Sequence, residues 1–209
     1  MTTKYIPWEV YTNLKKFLEY RNVQSETTFI QEGEFANIFN HYGYAKISGR
    51  RDDKYGNRSF HILLIAPNNH YASKSPNFKK LLNMIPSSDI TGNSEIVVIS
   101  ETPLTNFIKS HIAEKKAENK LLYIEHYTYE YFSTVLPNQI SIPKHSIPSQ
   151  EEVTEFCSLH RTKKQNFPKI YTTDSQVVWL GLRAGDVVEV DRKSYAVGEF
   201  PLYRYVIRK

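Results

Sequence analysis

Three prolines fall within twelve residues of this chain, at Pro137, Pro143 and Pro148 in the stretch LPNQISIPKHSIPSQEE. Each proline fixes its φ angle and lacks a backbone N–H, so neither a helix nor a central strand is expected to run through this stretch. We therefore predict a domain boundary here, with one domain in residues 1–137 and a smaller one in residues 138–209. A chain of 209 residues is long enough for both domains to bury a core.

Residues 1–137 alternate helical and extended patterns. Apolar residues recur at helical spacing in WEVYTNLKKFLEYRNV, SETTFIQEGEFANIFNHYG and NFKKLLNMIP, whereas RSFHILLIAP, SEIVVIS and the start of KLLYIEHYTYEYF are apolar runs that predict strands. A further helix is predicted in TPLTNFIKSHIAEK, with Thr102 as its N-cap and Pro103 in its first turn. This alternation is typical of a layered α/β domain.

Residues 138–209 combine short helices and short strands. SQEEVTEFCSLH begins with a capping serine and an acidic first turn, and DSQVVWLGL has the pattern of a short helix that ends at Gly181. FPKIY, DVVEV and YRYVIR have the composition of strands. The predicted fold class is thus α/β (α+β), with a layered N-terminal domain followed by a small mixed α+β domain.

The two glycines of GLRAGDVVEV raise the question of a phosphate-binding loop. In such a loop, a strand leads through glycines to the N-terminus of a helix, whose free N–H groups bind the anion. Here the order is reversed, because Gly181 follows a helix and Gly185 precedes a strand. We therefore interpret the two glycines as a helix C-cap and a tight turn with positive φ.

Charge and composition narrow the possible functions. The net charge of +5 is spread along the chain, which permits nucleic acid as a partner but does not require it. The single cysteine, Cys157, excludes an intramolecular disulfide and a cysteine-only zinc site. His160 is its neighbour on the predicted helix, but no carboxylate is evident to orient this histidine, so we interpret Cys157 as a core residue and not as a nucleophile. No apolar run reaches membrane-spanning length and no signal-peptide pattern is present, so we expect a soluble, intracellular protein without a membrane partner.

Short motifs follow one another in a fixed order through SIPKHSIPSQEE, FPKIYTTDSQVVWLGLRAGDVVEV and SYAVGEFPLYRYVI. This order resembles the C-terminal domain of the fifth common subunit of eukaryotic RNA polymerases, a domain that corresponds to a short polymerase subunit of archaea. One departure is Ser175, where that family usually has proline. The matching residues are Pro143, Lys144, His145, Phe167, Pro168, Lys169, Ile170, Asp174, Gly181, Leu182, Gly185, Asp186, Val187, Val188, Gly198, Tyr203 and Arg204.

The resemblance implies a non-catalytic subunit of a DNA-directed RNA polymerase, with no metal, cofactor or small-molecule substrate of its own. The C-terminal domain would anchor the chain on the largest polymerase subunit, near the sixth common (small) subunit. Strand edges and apolar side chains such as those of Ile170, Val187 and Tyr203 would face the partner. The implied assembly residues are Pro143, His145, Pro168, Ile170, Asp174, Gly181, Leu182, Gly185, Val187, Tyr203 and Arg204.

The N-terminal domain resembles the eukaryotic family more loosely. The family has there an α/β jaw close to downstream DNA, with a Thr-Pro-Ser-Ala-like helix start after a strand, and VVISETPLTNF is similar. A helix start of this kind binds phosphates, and the basic loop GRRDDKYGNR adds further candidates for contacts with the DNA backbone. An ordinary capped helix and a solvated hairpin tip are the alternatives. The DNA-proximal candidates are Thr102, Pro103, Thr105, Lys109, Arg50 and Arg51.

A diverged N-terminal domain beside a well-matched C-terminal domain is what we expect of a large DNA virus that encodes its own polymerase. The expected location is with the transcription machinery. For a viral protein this means the host cytoplasm and the virion, and otherwise the nucleus.

Two other functional classes stay open. The triplets Asp52-Asp53-Lys54 and Glu118-Asn119-Lys120 have the acid-x-Lys spacing of restriction-endonuclease-like enzymes, which use metal ions held by carboxylates at strand ends. Here one triplet lies in a basic loop and the other in a polar segment. A nuclease would cut DNA without partners, and a free DNA-binding adaptor would bind duplex tightly on its own. A polymerase subunit would bind DNA weakly alone and occupy a stable place in a large complex.

Overall fold

A computed structural model of the chain describes residues 6–67, 75–83, 85, 92–194 and 198–208. The chain divides into two compact units, Met1–Thr134 and Val135–Lys209. Each unit is built on one β-sheet with helices packed against it, so the predicted α+β class is confirmed. Within the described residues, no helix combines the length and the apolar character that crossing a membrane requires.

The N-terminal unit alternates helices and strands. Along the chain these are α1 (Pro7–Tyr20), β1 (Val23–Ser25), α2 (Glu32–Tyr42), β2 (Tyr44–Arg51), β3 (Arg58–Ile65), α3 (Ser75–Leu82), β4 (Ser94–Ser100), α4 (Asn106–Glu118), β5 (Leu122–Thr128) and a 3-10 turn at Tyr129–Phe132.

The N-terminal sheet has the strand order β1-β2-β3-β4-β5. β1, β2 and β3 are antiparallel neighbours, whereas β3, β4 and β5 run parallel, with α3 and α4 in the connections between them. β3 and β4 are buried along almost their whole length, in agreement with their continuous apolar sequences. β1 and β2 lie in a stretch for which the sequence predicted no strand.

Helices cover both faces of this sheet. Because side chains alternate along a strand, Leu63 and Ile96 point to one face and Phe60 and Glu95 to the other. The second face carries the end of α1, where the guanidinium of Arg21 lies 6.0 Å from the ring centre of Phe60. The first face carries α3 and α4, through a buried cluster of Leu63, Ile65, Phe78, Leu82, Ile85, Ile96, Val98, Leu104, Ile108, Ile112, Leu122 and Ile124.

A glycine lets β1 lie close to β2. In the antiparallel pairing of the two strands, Ser25 is opposite Gly49. A Cβ atom at Gly49 would lie 2.5 Å from the carbonyl oxygen of Gln24, which is closer than real Cβ contacts. Any other residue at this position would therefore push the edge strand away from its partner.

The start of α4 differs from the prediction. The helix begins at Asn106, and Thr105 occupies the N-cap position. The preceding residues stay outside the helix because the side chain of Leu104 is buried in the core and the carbonyl of Thr102 accepts a hydrogen bond from the Ser100 hydroxyl. The prediction of Thr102 as the N-cap and Pro103 in the first turn is therefore wrong.

The C-terminal unit is smaller and also mixed. Its elements are a 3-10 turn (Leu136–Asn138), β6 (His145–Ser146), α5 (Gln150–Leu159), a second 3-10 turn (Lys164–Asn166), β7 (Lys169–Tyr171), α6 (Ser175–Leu180), β8 (Val187–Ser194) and β9 (Gly198–Ile207).

The C-terminal sheet has the order β6-β8-β9-β7, with β7 parallel to β9 and the other pairs antiparallel. The predicted capping box is present at the start of α5. There the Ser149 hydroxyl accepts the N–H of Glu152, and the Glu152 carboxylate accepts the N–H of Ser149. At the start of α6, the Asp174 carboxylate accepts the N–H of Gln176. Local sequence therefore sets both helix starts.

The glycine-containing stretch ends α6 and leads into β8, as predicted. Gly181 has a φ of 67°, and the next residue, Leu182, donates its N–H to the carbonyl of Val177, as in a Schellman motif. Gly185 has a φ of 100° and donates its N–H to the carbonyl of Val206. Because these N–H groups are bonded within the chain, they do not form a phosphate-binding loop.

Candidate functional site

A hydrogen-bond relay supports the segment between β4 and α4. The Ser100 hydroxyl donates to the carbonyl of Thr102 at 2.6 Å, and Nε2 of His126 lies 2.8 Å from the same hydroxyl oxygen. Serine has one hydroxyl proton and gives it to Thr102, so the imidazole of His126 must be the donor in the second bond. Ser100 is therefore not activated as a nucleophile, and the relay instead fixes the backbone that leads into α4.

The electrostatic environment of His126 links this relay to a basic side chain on α4. Burial, and then the positive charge of Lys109, lower the pKa of the His126 imidazole to about 4. The ring is therefore neutral at physiological pH and carries one N–H to donate. Because the charge of Lys109 lowers the pKa of His126, Lys109 lies at the same end of the sheet as the relay.

Four of the predicted DNA-proximal residues come together at this end of the sheet. Thr102, Pro103, Thr105 and Lys109 are all exposed, and they flank the first turn of α4. The first N–H groups of a helix have no acceptor within the helix, so the positive end of the helix dipole is presented here. This end of the sheet has the groups that favour an anion such as a DNA phosphate.

Arg50 lies at the opposite end of the same sheet. It pairs with Ser59 near the start of β3, and Ser59 pairs with Ser94 at the start of β4. Thr102, in contrast, follows Ser100 at the end of β4. A strand rises about 3.3 Å per residue, so the length of β4 separates the two ends by roughly 20 Å. The structure therefore does not bring the two predicted groups of DNA-proximal residues together.

Arg50 and its neighbour Arg51 differ in exposure because successive side chains of β2 point to opposite faces. Arg50 is exposed, and its Nε lies 3.1 Å from the carboxylate of Glu26. Arg51 is only 3% exposed, and its guanidinium contacts the carboxylates of Glu95 and Asp53. The prediction that Arg51 belongs to a DNA-facing surface is wrong, since its charge is used inside the unit.

Glu95 is the centre of a buried ion network that sequence reasoning missed. Its carboxylate accepts hydrogen bonds from Arg21 at 2.6 Å, Arg51 at 3.0 Å and Arg58 at 2.7 Å. Asp53, in the turn between β2 and β3, binds Arg58 through both carboxylate oxygens, at 2.6 and 2.9 Å. The network connects the end of α1 to four strands. Its members are Arg21, Arg51, Asp53, Arg58, Glu95 and Glu125.

The arginines keep the central carboxylates ionised. Burial opposes the ionisation of Glu95, but the charges of three arginines outweigh burial and lower the pKa of its carboxyl group. For Asp53, burial is likewise outweighed, by hydrogen bonds from Arg58 and the N–H of Tyr55, and its pKa is also lowered. Both carboxylates therefore serve as counter-ions within the unit.

The two acid-x-Lys triplets have separate local partners. Asp53 is bound to Arg58, and Glu118 lies exposed at the end of α4, 2.6 Å from Nζ of Lys115. In the part of the chain that the structure describes, no group of three or more His, Cys, Asp or Glu side chains is placed to hold a metal ion. The structure therefore adds no support for a two-metal nuclease site.

Most of the predicted assembly residues build the C-terminal unit itself. Ile170, Val187 and Tyr203 are at most 9% exposed, so their side chains face the interior of the unit and not a partner. This corrects the expectation that they form a docking surface, and Asp174, Gly181 and Gly185 act as the caps and turn described above. Leu182 is also buried, Pro143 and Pro168 are exposed, and His145 and Arg204 are half-buried.

The histidine and the cysteine singled out in the C-terminal sequence have structural contacts. Nδ1 of His145 lies 2.7 Å from the carbonyl oxygen of Pro143. Cys157 packs against a core cluster that includes Phe167 and Tyr203, and the ring centres of the exposed His160 and of Phe156 are 4.2 Å apart, with the two rings tilted by 40°. These contacts agree with the interpretation of His145 and Cys157 as structural residues.

The C-terminal unit matches a known class of protein. Residues 136–206 match the family described as RNA polymerase Rpb5, C-terminal domain. This range contains β6, β7 and β8 and all of β9 except its last residue. This match and the relatives described next identify the chain as a subunit of a DNA-directed RNA polymerase, as the motifs predicted.

Relatives come from viruses, archaea and eukaryotes. The DNA-directed RNA polymerase RPB5 homolog of African swine fever virus (isolate Warthog/Namibia/Wart80/1980) is 24% identical over 202 residues, which are 96% of this chain and 97% of the relative. Subunit Rpo5 of Methanocaldococcus jannaschii is 42% identical over 72 residues, or 34% of this chain and 92% of the relative. Subunit rpabc1 of RNA polymerases I, II and III of Dictyostelium discoideum is 29% identical over 119 residues, 57% of this chain and 59% of the relative. The chain belongs to the Rpb5 family of RNA polymerase subunits, and the viral relative is similar along nearly its whole length.

Proposed function

We propose that this subunit is non-catalytic, that residues 138–209 anchor it in the polymerase, and that residues 1–137 form a jaw beside the downstream DNA. The family match at residues 136–206 is the observation that carries the proposal. The archaeal relative supports it, since a stretch of only 72 residues accounts for 92% of that subunit. A segment of about the size of the C-terminal unit is thus nearly a complete polymerase subunit in archaea.

The partners in this proposal come from the family resemblance. The C-terminal domain binds the largest polymerase subunit and lies near the sixth common subunit, and neither a cofactor nor a small-molecule substrate takes part. A subunit of a polymerase is found with the transcription machinery. We extend this to the host cytoplasm and the virion, because a viral relative matches nearly the whole chain.

The jaw contacts DNA at the end of the sheet where α4 begins. The exposed Thr102, Pro103, Thr105 and Lys109 surround helix N–H groups there, and one lysine adds a full charge. Groups of this kind recognise phosphates without reading bases, so the contact is independent of sequence and sensitive to salt. Arg50, roughly 20 Å away at the other end of the sheet, is outside this contact.

Affinity purification of the chain from its native source, followed by gradient sedimentation and mass spectrometry, tests the proposal. We expect the chain in a complex of several hundred kilodaltons together with two very large polymerase chains. Migration alone, near its own 24.4 kDa, would contradict the subunit proposal. Assays of the free chain then separate the alternatives, because a nuclease would cut DNA and an adaptor would bind duplex tightly.

A further inference from the structure

The C-terminal sheet ends in two different edge strands. In the order β6-β8-β9-β7, the edges are β6, which is His145–Ser146, and β7, which is Lys169–Tyr171. An edge strand presents unpaired backbone groups, to which an extended segment of another chain can add as a further strand.

The backbone of β7 has its free groups on the outer side. Tyr205 donates its N–H to the carbonyl of Pro168, and Thr172 donates its N–H to the carbonyl of Ile207. In a parallel pair, alternate residues face the neighbouring strand, so the even-numbered residues of β7 bond to β9. The N–H and C=O of Lys169 and the N–H of Tyr171 therefore point away from the sheet.

The side chains next to these groups are accessible. Lys169 is exposed, and its ammonium donates to the carbonyl of Gln165 and lies 4.9 Å from the ring centre of Tyr205. Tyr171 is 50% exposed. Ile170 between them is buried and fixes the strand on the sheet. The edge thus combines main-chain donors at a spacing of two residues with a basic and an aromatic side chain on the same face.

The sequence that leads into β7 is basic. Between Glu155 and Asp174 the sequence contains Arg161, Lys163, Lys164 and Lys169 and no acidic residue. Of these four basic residues, Arg161, Lys163 and Lys169 are exposed. An added segment that carries Asp or Glu would complement this charge.

The opposite edge is poorly suited to strand addition. β6 is two residues long, and Asp191 donates its N–H to the carbonyl of Lys144, so that only His145 within β6 presents its backbone groups outward. Pro143 and Pro148 flank it and have no N–H to donate.

We infer that the open edge of β7 accepts an extended, acidic segment of a neighbouring polymerase subunit as an added strand. This inference rests on the proposed anchoring function, and it names the edge and the chemistry of the segment that is bound. A peptide fits better than a nucleic acid, because the edge offers a backbone carbonyl as well as N–H groups.

Photo-crosslinking in the intact polymerase tests this inference. The photoreactive residue p-benzoyl-phenylalanine replaces Tyr171, and the same residue replaces Tyr42 on α2, which has a similar exposure of 55%, as a control. We expect position 171 to crosslink to an Asp- or Glu-rich segment of another polymerase subunit, and position 42 not to reach that segment. Crosslinks from position 171 to nucleic acid alone, or none at all in a chain that is retained in the polymerase, would overturn the inference and leave the anchoring function intact. If the unmodified chain is itself absent from the polymerase, the proposed function fails as well.

Two variants give an independent measurement. Tyr171→Pro removes an outward N–H without removing a bond to β9, and Lys169→Glu reverses the charge while leaving the backbone unchanged. For each we expect retention in the purified polymerase to fall by about tenfold, a typical effect of a central interface residue. Lys15→Glu, at an exposed site on α1, is the matched charge control and should be retained normally. Normal retention of Lys169→Glu would overturn the inference even if Tyr171→Pro fails to fold.

Discussion

The two units of this chain share a mixed α+β architecture but are stabilised in different ways. In the C-terminal unit, residues adjacent to each helix set its ends, as Asp174 and Gly181 do for α6. In the N-terminal unit, the strands meet around Glu95, which binds Arg21 from 74 residues away and Arg58 from 37 residues away. Local interactions therefore set the helix ends in one unit, whereas a buried ion network centred on Glu95 links distant parts of the chain in the other.

The relatives match stretches of different length. The archaeal subunit is 42% identical over 72 residues, whereas the viral relative is 24% identical over 202 residues.

The difference in how the two units are stabilised can be tested by experiment, because each unit contains one of the two tryptophans. Trp8 lies on α1 and Trp179 on α6. In the background Trp179→Phe the fluorescence follows the N-terminal unit, and in Trp8→Phe it follows the C-terminal unit.

The largest expected effect comes from Glu95→Gln. The change leaves three buried arginines without their shared charge partner, and breaking a buried ion pair in this way costs about 3–5 kcal/mol. Urea unfolding should show this loss of stability in the Trp8 signal and little change in the Trp179 signal. Glu125→Gln, which removes only one contact to Arg21, is the control with a smaller expected loss. Equal losses in both tryptophan signals would show that the network is not specific to the N-terminal unit.

Acid should weaken the N-terminal unit through the same network. The pKa values of Asp53 and Glu95 are lowered in the folded chain. Their contribution to stability is therefore fully present above the ordinary carboxyl pKa of about 4, and it is lost as the pH falls through the lowered values. We expect the Trp8 unfolding transition to shift to lower urea below about pH 4. The shift should be smaller in Glu95→Gln, and an unchanged shift would assign the acid sensitivity to other groups.

Local changes in the C-terminal unit should each have a modest effect. Asp174→Ala removes a helix N-cap, and Gly181→Ala forces a side chain into a left-handed conformation, so each should cost about 1 kcal/mol. The Trp179 unfolding transition measures this loss of stability directly, because Trp179 lies on α6, which begins after Asp174 and ends at Gly181. A loss of the whole C-terminal fold from either change would contradict the view that its stability is distributed over many small interactions.

The smallest expected effect concerns DNA. Lys109→Ala should lower the affinity of the assembled polymerase for downstream duplex by a few-fold and reduce the slope of log affinity against log salt by about 1. Lys54→Ala, at the other end of the sheet, removes the same charge and should leave the slope unchanged. If Lys54→Ala reduced the slope more than Lys109→Ala, the DNA contact would lie at the hairpin between β2 and β3 and not at the start of α4.

The C-terminal unit was predicted well because its signals are local. The capping serine of α5, the Asp174 cap and the two glycines with positive φ are each recognisable within a few residues of sequence, and the structure confirms all of them. The start of α4 was predicted too early, at Thr102. The helix begins only at Asn106, because the side chain of Leu104 packs into the core, and nothing in the sequence distinguishes this leucine from others.

The ion network could not be predicted from sequence because its members are far apart in the chain. Nothing near Glu95 in SEIVVIS indicates that Arg21 and Arg58 surround it, although an acidic residue at the start of a buried strand is itself a signal that a partner is needed. Had β2 been recognised as a strand, only one of Arg50 and Arg51 would have been predicted to be exposed, because neighbouring side chains in a strand point to opposite faces.

Crosslinking to downstream DNA in the assembled polymerase tests the central claim most directly. A photoreactive residue is placed at Thr105, beside the start of α4, or at Asp52, an exposed position at the other end of the sheet. The account predicts that position 105 crosslinks to the DNA and that position 52 does not. Crosslinks from position 52 and none from position 105 would contradict it.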